Sequence, residues 1–294
     1  MDFAKTNSVS IVGRLIKCDL KTGNAKTDGR AYVSGTITVV SDLDGRDNEF
    51  TIDLFAYQQN NQGKESALYT KYIGLNNSLN QKIQVDGSLS VRRYFSTKAN
   101  QLTSAQSING RFIKNVAETT LDKAEFHLDG FVLNTLTEKK NKNNEIYRYD
   151  IKIGQSNYRG DNMIVYILNV DPSAREMVNG VQKMAVGATY ELAGQLRSYT
   201  ETQTIEHTGG SFSFGQPIVS TYTNTYRSYF ITGGRDITGE TAYDSEVVHN
   251  LIAAWKAEGV QIETTAKNRM EGAEKTSVPV ENAAPIKNMQ AALI

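Results

Sequence analysis

The sequence contains one cysteine, Cys18, and three histidines, His127, His207 and His249. A lone cysteine cannot form an internal disulfide, and the histidines are too far apart to show metal-ligand spacing. No segment approaches the roughly 18 consecutive apolar residues of a membrane-spanning helix, and the first residues lack the apolar core of a signal peptide. These absences predict a cytoplasmic protein with no disulfide, metal site or membrane contact.

Motifs for catalysis are also missing. The sequence has no Gly-x-x-x-x-Gly-Lys-Ser/Thr, His-Glu-x-x-His or Gly-x-Ser-x-Gly pattern, and its scattered acidic residues give no evidence for a catalytic carboxylate pair. We therefore expect a binding protein that needs no cofactor, and not an enzyme.

The charges balance over the whole chain but not along it. Residues 1–117 carry 15 Lys and Arg against 10 Asp and Glu, a net charge of +5, whereas residues 118–235 carry −1 and residues 236–294 carry −4. The first part is therefore the stronger candidate for binding a polyanion, and the last part opposes it.

The most informative segment present is residues 82–95, which alternates apolar and polar residues, contains Gly87 and ends in a basic-aromatic cluster. This pattern predicts a long β-strand that bends at the glycine, as small barrels require. Residues 190–199 repeat it, with Gly194 followed by Leu, Arg and Tyr. Earlier glycine-containing strands precede both copies, at Gly13 and Gly130, so the sequence predicts a duplication with loops of different length.

Residues 1–117 have the pattern of strand, strand, strand, helix, strand and strand. The predicted elements are strands at 8–17, 31–40, 50–57, 82–95 and 105–116 and a helix at 65–73. Residues 118–235 repeat this order, with strands at 125–134, 146–154, 163–170, 189–199 and 226–231 and a helix near 172–178. This is the order of the OB-fold, a five-stranded Greek-key barrel, so the predicted fold is mostly β, with two tandem OB-fold barrels.

Three further segments have distinct compositions. A Gly/Ser/Thr and aromatic stretch at residues 200–225 predicts a long loop. Residues 236–260 contain an amphipathic pattern over 246–258, which predicts a docking helix, and residues 261–294 predict a flexible tail.

With these motifs in hand, residues 7–116 resemble the bacterial and phage single-stranded DNA-binding protein family. The resemblance rests on residues 7–15, 50–55 and 82–89, and the tandem arrangement is similar to a divergent phage form. It implies a protein that coats and protects single-stranded DNA during replication or recombination, in a host cytoplasm if phage-encoded. RNA is an alternative ligand, and replication or recombination proteins are expected partners. The chain ends in 288–294 without that family's Gly/Pro/Gln-rich tail and acidic tip, so partner recruitment by such a tip does not carry over.

Binding a single strand requires cations for phosphates and exposed rings for bases. The candidate residues combine these groups on predicted strands and hairpins: Arg14, Tyr32, Phe55, Tyr57, Arg92, Arg93, Tyr94, Phe95, Lys98, Arg148, Lys152, Tyr166, Arg197 and Tyr199. Adjacent residues on a strand point to opposite faces, so only one of Tyr94 and Phe95 is expected to offer a stacking ring.

Two alternatives remain open at this point. The second module, with a net charge of −1, either binds DNA more weakly or serves mainly as an interface. The whole protein could also be a β-rich interaction protein whose barrels bind other proteins, or a structural phage protein without nucleic-acid binding, because a fold does not fix a function.

Overall fold

Strand β1 (Asn7–Asn24) closes the first barrel because it is long enough to pair with two other strands of that barrel. In the computed structural model, which describes residues 5–59, 62–207 and 218–276, its first half pairs with β4 (Lys82–Ser96) and its second half with β2 (Ala31–Leu43). The remaining strands are β3 (Arg46–Tyr57), which pairs with β2, and β5 (Gln101–Asn115), which pairs with β4 and in parallel with β3. Helix α1 (Ala67–Ile73) lies between β3 and β4, as in an OB-fold.

The second barrel repeats these connections. Its elements are β6 (Lys123–Val132), β7 (Thr137–Lys140), β8 (Ile146–Ser156), β9 (Met163–Val170), α2 (Arg175–Gln182), β10 (Thr189–His207) and β11 (Ile218–Ile237). Strand β6 pairs with β8 and β10, and β11 pairs with β10 and in parallel with β9. The short β7 extends the sheet at β8. The prediction of two tandem OB-fold barrels is confirmed.

The two barrels are joined through their first strands. Strands β1 and β6 pair antiparallel from Asn7 opposite Leu128 to Val12 opposite Lys123, and the 11 strands of the described residues form one continuous sheet. One cluster of buried apolar side chains, including Ile11 and Phe126, extends through both barrels. The barrels therefore share a core and are not separate units on a linker.

Glycine bends the fourth strand of each barrel, as the sequence predicts. The pairing register shifts between Asp86 and Gly87 in β4 and between Ala193 and Gly194 in β10. A Cβ atom on Gly87 would lie 2.0 Å from the backbone oxygen of Asn109, which is too close for any side chain. Both bulges therefore depend on glycine because the neighbouring strand passes directly over it.

The predicted loop over residues 200–225 is wrong where the structure describes it. Strand β10 continues to His207 and β11 begins at Ile218, and the two pair throughout, with Thr202 opposite Thr223. Threonine is abundant in both arms and favours strands, so the hairpin extends beyond the barrel. Residues 208–217 of the predicted loop lie outside the described residues.

Helix α3 (Ser245–Thr276) continues well past the predicted end at residue 258. Its first turns bury Val248 and Leu251 against Phe131 and Met163 of the second barrel and Tyr243 of the segment between β11 and α3. Residues 261–276, predicted as flexible tail, are thus helical, while residues 277–294 of that prediction lie outside the described residues. Among the described residues, no helix is both long and apolar enough to span a membrane.

Candidate nucleic-acid interface

The outer face of β2 and β3 carries a group of aromatic rings, here called the first aromatic cluster, formed by Tyr32, Phe55 and Tyr57. Alternate residues of β3 point into the barrel and are buried, so Phe55 and Tyr57 point outward. Phe55 is 52% exposed, lies 5.6 Å from Tyr32 in a stacked arrangement and 4.9 Å from Tyr57 edge to face. The Phe55 ring is therefore exposed to solvent beside the rings of Tyr32 and Tyr57.

Arg30 adds a cation to the first aromatic cluster. Its guanidinium lies 4.1 Å from the centre of the Tyr57 ring and 2.6 Å from the Asp28 carboxylate. The backbone N–H of Arg30 and then its guanidinium hydrogen-bond that carboxylate and hold the pKa of Asp28 below its usual range. The turn before β2 thus positions a guanidinium beside the rings, a role that sequence reasoning missed.

A second aromatic cluster, formed by Tyr147, Tyr199 and Tyr226, lies on the second barrel. Tyr199 and Tyr226 face each other across β10 and β11, with stacked rings 5.3 Å apart. Together with Tyr147 they line a groove of about 790 Å³, and Tyr147 is 51% exposed. The guanidinium of Arg46, which belongs to the first barrel, lies 4.4 Å from the centre of the Tyr199 ring. This cluster is therefore built by both barrels.

A cleft of about 170 Å³ lies between the two barrels. One wall carries Thr51 and Asp53, which share the outer face of β3 with Phe55. The opposite wall includes Arg197 and Arg227, and Arg227 also lines the groove of the second cluster. The cleft therefore borders the second cluster and shares a strand face with the first.

Hydrogen bonds between the barrels fix the position of this cleft. The backbone N–H of Ser198 donates to Asn48 Oδ1 at 2.9 Å, where both residues are buried. Arg197 pairs with Asp44 and donates to the carbonyl oxygen of Leu43 at the turn between β2 and β3. The two walls are therefore held together without a ligand.

Several predicted cations are already engaged by acidic residues. Arg14 bonds Glu118 at 2.7 Å, and Arg148 lies 2.9 Å from the buried Asp150. The candidates exposed to solvent are Arg14, Phe55, Arg92, Tyr94, Lys98 and Lys152. The structure thus brings Tyr32, Phe55 and Tyr57 together in one cluster and Arg148, Arg197 and Tyr199 around the other, and it leaves Arg14 and Lys152 outside both.

Three predicted candidates have little or no surface exposed to solvent. Tyr166 is fully buried between the barrels, because its position on β9 faces β1 and not solvent. Phe95 is buried and lines a groove beside helix α3. Arg93 is held by the same helix and its side chain is only 10% exposed. Their strand patterns are those of exposed residues, but tertiary packing covers them.

Replacing Tyr166 with Phe tests this correction. Its hydroxyl accepts a hydrogen bond from Asn7 Nδ2 at 2.8 Å, and burial raises the pKa of Tyr166 above its usual value. We expect Tyr166→Phe to lower the free energy of unfolding by about 1–3 kcal/mol, because an amide proton loses its partner in a buried place. Affinity for oligo-dT should not change. Weaker DNA binding at unchanged stability would indicate that Tyr166 contacts the ligand.

Sequence reasoning missed residues whose role depends on the other barrel or on a turn: Arg30, Arg46, Tyr147, Tyr226 and Arg227. Tyr226 and Arg227 repeat the aromatic-basic pair found in other strands and could have been found from that signal. The role of Arg46 has no local signal.

Within the part of the chain that the structure describes, no three His, Cys, Asp or Glu side chains group as metal ligands.

Comparison with known proteins gives a family match and several structural matches. A family model described as YorF matches residues 5–268. No curated protein matches the sequence. Solved structures that superpose on the chain include the wild-type single-stranded DNA binding protein from Thermus aquaticus, at 14% identity, 82% coverage of this chain, 98% of that chain and a TM-score of 0.47. A Plasmodium falciparum SSB complex with ssDNA covers 40% of this chain and 100% of its own, at 12% identity and a TM-score of 0.27. Because the family match spans all the strands of both barrels, the chain belongs to the YorF family.

Proposed function

We propose that this protein binds single-stranded DNA without sequence specificity, through base stacking and phosphate neutralisation. The observation that carries the proposal is the pair of aromatic clusters, together with a cleft that borders the second cluster and shares the outer face of β3 with the first. Each cluster combines exposed rings with a guanidinium, Arg30 at the first and Arg46 at the second. Stacking of bases on aromatic side chains tolerates any sequence, because every base has a π-face.

The geometry favours a single strand over a duplex. Ring faces such as that of Phe55 can stack only on a base whose own face is uncovered, and in a duplex neighbouring base pairs cover those faces. Besides the Asp53 carboxylate, the described residues of the cleft offer hydroxyl, amide and guanidinium groups, which suit the sugar-phosphate backbone. A protein of this kind would coat and protect single-stranded DNA during replication or recombination, with proteins of those processes as partners.

The ion pairs around the surface set the expected salt dependence. Arg30 bonds Asp28, Arg46 lies 3.5 Å from Glu201, and Arg197 pairs with Asp44. A phosphate that approaches these arginines competes with a carboxylate already present. We therefore expect salt to weaken binding through fewer phosphate contacts than the number of arginines on the surface suggests.

Fluorescence anisotropy with labelled oligo-dT and a duplex of the same length, over a series of salt concentrations, tests the proposal. The single strand should bind much more tightly, and log affinity should fall linearly with log salt, by about 0.7 for each phosphate contact. An oligo-rU of equal length measures the preference between DNA and RNA. Equal affinity for the duplex, or no binding to either single strand at low salt, would contradict the proposal and favour a protein-binding role for the barrels.

A further inference from the structure

Helix α3 contacts the first barrel through one arginine, Arg93. The Arg93 guanidinium lies 3.8 Å from the centre of the Trp255 ring, donates to the Trp255 carbonyl oxygen at 2.7 Å and lies 3.1 Å from the Glu258 carboxylate. At Gly259 the helix comes so close that a Cβ atom would lie 2.5 Å from Arg93 Nη2 and 3.0 Å from Leu102 Cδ2. The glycine therefore permits the close approach of α3 to the β4–β5 hairpin.

Through these contacts of Arg93, α3 connects the two barrels. Its first turns pack against the second barrel through Val248 and Leu251, and its middle turns contact the hairpin of the first barrel through Trp255. The position of the helix after Gly259 is consequently fixed relative to β4. The remaining turns line the side of that strand.

A groove of about 440 Å³ lies between β4 and these later turns of α3. Arg92 and Tyr94 line it from the strand, and Arg269 lines it from the helix. Tyr94 is 38% exposed, and the Arg92 guanidinium lies 5.9 Å from the centre of its ring. Phe95 and Ile262, which are more buried, also line this groove. The groove therefore combines a ring with cations from two different elements.

Two acidic residues on this part of α3 have cationic partners. Glu258 is bonded to Arg93, and Glu263 is bonded to Lys267 one helical turn away at 2.7 Å. No such ion pair is found for Arg92 or Arg269 among the residues that the structure describes. The charged residues that line the groove are all arginines, Arg92, Arg93 and Arg269, although residues 236–294 carry a net charge of −4.

We infer that the groove between β4 and α3 is a further binding site for single-stranded nucleic acid. Arg92 and Arg269 neutralise phosphates, Tyr94 stacks on a base, and Arg93 acts as a positioning residue that holds the helix in place. This inference rests on the proposed function, but it uses none of the residues of the two aromatic clusters or of the cleft. It assigns α3 to the nucleic-acid surface, whereas its composition alone indicates an acidic appendage.

The experiment compares Arg269→Glu with Lys256→Glu in the full chain. Both residues are exposed on α3 and both substitutions change the charge by the same amount, but Lys256 does not line the groove. Affinity for a labelled oligo-dT of about 40 nucleotides, longer than the roughly 4–16 nucleotides that one OB-fold covers, is measured over a series of salt concentrations. Arg269→Glu should weaken binding and lower the salt slope by about 0.7, whereas Lys256→Glu should leave the slope unchanged.

Tyr94→Ala completes the test, because it removes a ring and no charge. It should weaken binding to the long oligo-dT by roughly 5- to 150-fold at an unchanged salt slope.

Equal effects of Arg269→Glu and Lys256→Glu would overturn the inference, since a general charge effect would then explain both. Affinity for poly-glutamate that depends on Arg269, without a change on oligo-dT, would also overturn it and assign the groove to an acidic protein partner. If the unmodified protein binds oligo-dT while these variants do not differ, only the groove fails and the proposed function stands.

Discussion

The double substitution Phe55→Ala, Tyr199→Ala should weaken binding of single-stranded DNA by roughly 2–6 kcal/mol, since each stacked ring typically contributes about 1–3 kcal/mol. Phe55 belongs to the first aromatic cluster and Tyr199 to the second, and they share no contact partner among the ring contacts of the structure. The two effects should therefore add. Anisotropy titrations of both single variants and the double variant with one long oligo-dT measure them.

Tyr158→Ala provides the matched control for this prediction. Tyr158 is 99% exposed and lies outside both clusters, so its removal should leave affinity unchanged. The salt slope should stay the same in all of these variants, because no charge is removed. A double variant within twofold of the unmodified protein, or an equal loss in Tyr158→Ala, would show that the clusters are not on the DNA path.

Phe126→Ala should lower the free energy of unfolding by about 3–5 kcal/mol, as expected for a large ring removed from a packed core. Phe126 is fully buried on β6, opposite Val9 of β1 on one side and Gly194 of β10 on the other. A Cβ atom on Gly194 would lie 2.3 Å from the Phe126 ring, so the ring occupies the space that the glycine leaves. Because β6 joins the two barrels, removal of the Phe126 ring should destabilise both barrels together.

Urea denaturation followed by circular dichroism and by the fluorescence of Trp255, the only tryptophan, tests this result. Both signals should shift to lower urea concentration by the same amount. Phe112→Ala, which removes an exposed phenylalanine from β5, should change stability by no more than about 0.5 kcal/mol. Separate transitions, with one barrel unaffected by Phe126→Ala, would contradict a core shared by both barrels.

Much of the fold could be predicted from the sequence because its signals are local. Alternation of apolar and polar residues places the barrel strands, and the bulges at Gly87 and Gly194 follow from glycine at the same point of a repeated pattern. The helix between the third and fourth strands of each barrel also has a local signal, such as Ser66, whose side chain caps α1. These features depend on neighbours in sequence, so one chain suffices to find them.

The failures have a different physical cause. Strand alternation distinguishes two faces but does not say what covers each face, so Tyr166, Arg93 and Phe95 were predicted as ligand contacts although the other barrel or α3 buries them. The extended β10–β11 hairpin and the later turns of α3 have polar compositions that resemble loop and tail. They are ordered by pairing and packing with distant residues, which composition does not reveal.

By itself, the sequence determined the two OB-fold barrels, their duplicated strand order and the outward rings of β3, because each depends on periodicity and turns within a short segment. How these parts combine depends on tertiary contacts. Pairing of β1 with β6 brings the barrels together, so that Arg46 of the first barrel lies over Tyr199 of the second and a cleft forms between the barrels. Contacts of this kind link residues more than 100 positions apart, and their free energy depends on a geometry that no local pattern encodes.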